Sequence, residues 1–149
     1  MMVTYPGNMK MIDRSEVLSE IEKVIDWYSK NYKKAQIPEL MDCKSKLCTL
    51  LYTYTDEVVE AKKDSLFCTI YRKYHSHKMK SELIEKKFTV SLAESKSVVQ
   101  TFEDMKGEGE TEGLAYLTKL KLDQANRISD DIMQRISVLT KERSYSNSI

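Results

Sequence analysis

ELMDCKSKLCTLLYTYTDEVVEAKKDSLFCTIYRKYHSHKMKSELIEKKFTVSLAESKSVVQTFEDMK, residues 39–106, contains no glycine and no proline, although the chain has four glycines and two prolines. The two strongest helix breakers are therefore absent from almost half of the protein. Leu40, Cys43, Leu47, Leu51, Tyr54, Val58 and Ala61 recur at alternating steps of three and four, which places them on one stripe of a helix. The spacing predicts an all-α protein: an elongated antiparallel helical bundle or helical hairpin with coiled-coil-like seams.

Composition agrees. With 149 residues, 41% hydrophobic and 32% charged, the chain suits one domain with a narrow core and a large solvated surface. The net charge of +1 supplies no whole-molecule attraction to nucleic acid or anionic membrane, so electrostatic binding requires a local patch. Cys43 and Cys48 are five apart, roughly 140° around a helix at ~100° per residue, and are badly placed for a disulfide. The three cysteines read as reduced thiols of a cytoplasmic protein. No C-x2-C pair suggests zinc, and no run approaches the ~18 apolar residues of a membrane span. Residues 1–11 lack the apolar core of a signal peptide.

Outward from the central stretch, the expected organisation is a flexible arm over 1–11, a single helical domain over 12–142, and a disordered tail over 143–149. Helices are expected at about 13–34, 39–87, 91–106 and 113–142. Asp13 with Glu16 fits a capping box, and Ile12 with Val17 a hydrophobic staple. Val17, Leu18, Ile21, Val24, Ile25, Tyr28 and Tyr32 share the first helix face, with Trp27 beside it as core edge or partner contact. Pro38 suits the first turn of the second helix. His75-Ser76-His77 is a possible interruption. Ser91 with Glu94 repeats the capping-box spacing, and Thr89 competes as the cap. Three glycines within residues 107–113 favour a loop or frayed joint over an unbroken helix.

Two sets of residues are candidates for binding. Tyr71, Arg72, Lys73, Tyr74, Lys78, Lys80 and Lys87 interleave cations with aromatics, as single-strand nucleic-acid binders do. A solvated helix surface is the competing reading, because helices routinely carry such charge. Leu114, Leu117, Ile128, Ile132, Ile136 and Leu139 form a late heptad-like seam, interrupted by Lys121, that suits association with another helix. His75 and His77 point nearly 200° apart on a helix, so no metal site is expected. The acidic segment containing Glu103, Asp104, Glu108, Glu110 and Glu112 lacks the EF-hand ligand order. It reads as an acidic hinge that could neutralise the basic stretch of a neighbouring subunit. No nucleophile elbow, P-loop, zincin or dinucleotide fingerprint occurs, so no enzyme activity and no cofactor are expected.

Ile132, Arg135, Ile136, Ser137, Leu139 and Glu142 spell I-x-x-R-I-S-x-L-x-x-E. This seam, with Tyr71-Arg72-Lys73 and the turn at Thr89 upstream, resembles small all-helical accessory proteins of tailed bacteriophages. The resemblance covers about the last 80 residues and implies a role near phage DNA metabolism, in the host cytoplasm. The expectation is a non-enzymatic, self-associating helical interaction protein with a protein partner or a second copy, and no membrane. The alternatives are a nucleic-acid-binding accessory factor, with single-stranded nucleic acid as partner, and a sequestering protein that inhibits a host factor.

Overall fold

A computed structural model of the chain describes residues 16–148, which form helices joined by short turns with no strand among them. The elements are α1 (Glu16–Asn31), α2 (Ile37–Glu85), α3 (Val90–Gln100) and α4 (Phe102–Asn147). The all-α bundle expected from the spacing is thus the fold. The arm over 1–11, the Asp13 cap and the Ile12 end of the staple lie outside the described residues. The described chain forms two compact units, residues 59–118 and residues 16–58 with 119–148.

In the second of these units α1, α2 and α4 bury a continuous apolar core. Ile21 and Tyr28 of α1, Leu40, Cys43, Leu47, Leu51 and Tyr54 of α2, and Ala125 and Ile132 of α4 are all buried. Every α2 residue of the opening stripe up to Tyr54 is therefore inside, and Val58 packs against the same cluster. Tyr32, expected on the buried face of α1, is 38% exposed instead. It follows the last residue of α1, where the chain turns. Trp27 is half-buried against the core edge. The Tyr28 hydroxyl donates to the Asp131 carboxylate of α4, and Lys121 Nζ lies 3.9 Å from Glu22 of α1. Burial, with that carboxylate beside it, holds the Tyr28 phenol far above its ordinary pKa.

The helix ends follow local chemistry. Pro38 occupies the first turn of α2, where its missing N–H removes no helical bond. The Gln36 amide donates to Glu39 Oε1 at 3.3 Å, the returning arm of a cap. No interruption occurs at His75-Ser76-His77. At the other end of α2, Phe88 N–H reaches Leu83 O at 3.2 Å and Lys87 N–H reaches Ile84 O at 2.9 Å. This is the Schellman pattern, and it puts Lys87 at φ 68°, a conformation glycine would take without strain. Thr89, and not Ser91, caps α3: its Oγ1 accepts from the Leu92 amide at 3.3 Å.

Two boundaries depart from expectation. The break after α3 falls at Thr101 and not in the glycine segment, and α4 runs unbroken through Gly107, Gly109 and Gly113. It also continues through residues 143–147, assigned above to a disordered tail. Each interior glycine costs a helix about 1 kcal/mol. Extending an existing helix is far easier than nucleating one, and the intervening Glu108 and Thr111 are held: Arg72 pairs with the first, and the second is buried.

Candidate interaction surface of residues 59–118

In the unit of residues 59–118, the second half of α2 lies against α3 and the start of α4. Its interior is unlike that of the apolar core above. The buried residues are Ala61, Asp64, Ser65, Cys68 and Leu83 of α2, facing Ala93, Ser97, Thr101, Asp104 and Thr111. Leu83 is the one large apolar side chain among them. Small side chains let the helices approach closely, and polar groups pair across the gap. The Cys68 thiol contacts the Thr111 hydroxyl, Arg72 Nε donates to Glu108, and His75 Nδ1 meets Asp104 Oδ2. Each pair sums to 179 or 180, an antiparallel register one helical turn per rung. Lys80 Nζ reaches Glu94 Oε1 at 2.6 Å and draws that carboxyl below its ordinary pKa.

Burial raises the Cys68 thiol, against the opposing pull of the Thr111 hydrogen bond. It raises the Asp64 carboxyl too, with Glu60 adding to the effect. A shielded thiol of raised pKa is a poor nucleophile. Among the described residues no cluster of His, Cys, Asp and Glu is placed to hold a metal ion.

The outside of the same unit is apolar. Val59, Leu66, Phe67, Ile70 and Tyr74 of α2 are exposed, as are Leu92, Val98, Val99, Phe102, Met105, Tyr116 and Leu117 of α3 and α4. Leu66 and Ile70 lie two residues either side of Cys68, roughly 160° around α2 from the polar rung at ~100° per residue. Gly109 and Gly113 flank Thr111 in the same way on α4. A Cβ added at Gly107, Gly109 or Gly113 would meet nothing within 4 Å. The polarity of an ordinary two-helix pair is inverted here: polar seam within, aliphatic and aromatic stripes without.

This arrangement redistributes the candidate residues. Of the basic set, Arg72 and Lys80 are committed to Glu108 and Glu94, and Tyr71 is half-buried with its ring 5.7 Å from that of His75. Lys73, Tyr74 and Lys78 are exposed, and Lys87 closes α2. Of the late seam, Ile132 is buried in the apolar core of the other unit and Ile128, Ile136 and Leu139 pack against it, so these four serve the chain's own interior. Leu114 is half-buried and Leu117 exposed. The outer stripe of α2 escaped the sequence reading. Its signal was present as Leu66, Ile70 and Tyr74 at steps of four, but the equally regular series Ala61, Ser65, Cys68, Arg72, His75 is the face that turned inward.

Elsewhere, a groove of about 450 Å³ between α1 and α2 has Val24, Trp27 and Cys43 in its lining. Its rim lysines Lys23 and Lys46 are paired with Glu20 and Asp42 at 2.7 and 3.0 Å. Among the described residues no helix is long and apolar enough to cross a membrane. No protein-family model, curated protein or solved structure matches this chain.

Proposed function

We propose that this is a non-enzymatic helical interaction protein that docks another protein through the outer face of residues 59–118. The accessory proteins of tailed phages that its last helix resembles, working in the host cytoplasm, are the kind of protein meant. One observation carries the reading: small and polar side chains fill the buried seam, with half-buried ion pairs at its edge, while the stripes of large apolar side chains face out. Monomeric proteins rarely leave apolar patches of more than a few hundred Å² uncovered. Nucleic-acid binding has weaker support, because Arg72 and Lys80 are already neutralised within the chain.

The test is the stability of Ile70→Lys and Val99→Lys in dilute protein, by chemical denaturation. Surface positions tolerate such changes within about 0.5 kcal/mol, whereas core positions lose about 2–5 kcal/mol on large truncation or charge insertion. Near-neutral changes support a free docking face. A core-sized loss at both positions would overturn the reading, because it would mean the stripes are already covered within one chain.

A further inference from the structure

Resting on that reading, we infer that the docked protein is a second copy of this chain, joined face to back: the outer face of α2 on one copy packs against the outer face of α3 and α4 on the next. The two outer faces carry opposite charge. Beyond the exposed Glu60 at its start, this half of α2 up to residue 81 has one carboxylate, Asp64, which is buried, while Lys62, Lys63, Lys73 and Lys78 are exposed along with Leu66, Ile70 and Tyr74. On the opposite side of the unit, Glu103, Glu110 and Glu112 are exposed beside Val99, Phe102 and Tyr116, with Lys96 and Lys106 the exposed cations among residues 90–117. A basic apolar face and an acidic apolar face on one molecule complement each other, whereas each repels its own kind.

Size and shape agree. Ile70 is 66% exposed and Tyr74 64%; Val99 is 76% and Phe102 60%. Each face thus leaves large apolar side chains mostly uncovered, the kind of surface that a standard interface of ~800 Å² per partner buries. Gly109 and Gly113 lie midway along the acidic face with open space above them, between Phe102 and Tyr116. Among the described residues nothing requires glycine there. The Leu66–Ile70 ridge of a neighbour set into that flat would, since absent side chains let helix backbones approach closely. Because the two faces differ, the contact is heterologous and builds a ring or an open stack, not a two-fold dimer.

Charge exchange on the full chain tests this by sedimentation velocity across a concentration series. K73E/K78E and E110K/E112K should each associate at least about tenfold more weakly than wild type, while a mixture of the two recovers to within about threefold, since reversed faces match each other. G109Q/G113Q should also weaken association at least about tenfold by filling the flat, without lowering the helix content of the dilute protein. A wild type that stays monomeric overturns the inference. So does E110K/E112K associating as wild type, which would mean that α2 faces pair with themselves, or a mixture that fails to recover. Should wild type be monomeric while Ile70→Lys is neutral, the interaction reading stands and only the identity of the partner falls.

Discussion

Tyr28 shows how a single polar atom orients a helix in an otherwise apolar core. Its ring is 3% exposed, yet its hydroxyl reaches Asp131 on α4, so the phenol fixes α1 against α4 while its carbons fill the interior. Tyr28→Phe should keep the packing and lose about 1 kcal/mol by denaturant titration, the net worth of one hydrogen bond. Asp64 acts in the opposite direction. Burial raises its pKa in the folded chain above the ~3.9 of a free aspartate, so the folded state holds the extra proton. Stability therefore falls as pH rises through the window from that unfolded value to the raised folded one, and the penalty is full at neutral pH. Asp64→Asn should melt higher than wild type at pH 7, and the gain should vanish towards pH 3. An unchanged difference across that range would mean Asp64 is compensated.

At the scale of elements, the long α2 was legible because its evidence is local: sixty-eight residues without a breaker, and a stripe from Leu40 to Val58 that the core confirms residue by residue. The joints were not. Thr101 is an ordinary helix residue by composition, yet the chain bends there, with its hydroxyl bonded to Ser97 O at 2.7 Å. The glycine segment looked like the break and is helix, because the register with α2 holds Glu108 and Thr111 in place. Tertiary contacts overrode propensity in the glycine segment, and no local pattern encodes them. The same logic applies to Lys87, left-handed at the end of α2. Lys87→Gly should stabilise the protein by up to about 1 kcal/mol by removing that strain, measured as a raised denaturation midpoint. The candidate interface had a similar fate. Ile128, Ile132, Ile136 and Leu139 were recognisable as a seam, but periodicity alone does not say whether a seam faces its own chain or another.

For the whole molecule, the contrast between the two units is the principal finding. Residues 16–58 with 119–148 bury leucine, isoleucine and tyrosine, whereas residues 59–118 bury mostly alanine, serine, threonine and aspartate and leave all large apolar side chains but Leu83 at least partly out. One unit is organised to hold the fold, and the other presents a surface. Light scattering of the pure protein over a wide concentration range tests that division most directly. The account predicts a mass that rises above the 17.4 kDa of one chain with concentration and returns to it in Ile70→Lys. A wild type that stays at 17.4 kDa throughout would contradict the docking of a second copy on that surface, and an Ile70→Lys variant that associates as wild type does would contradict the surface itself.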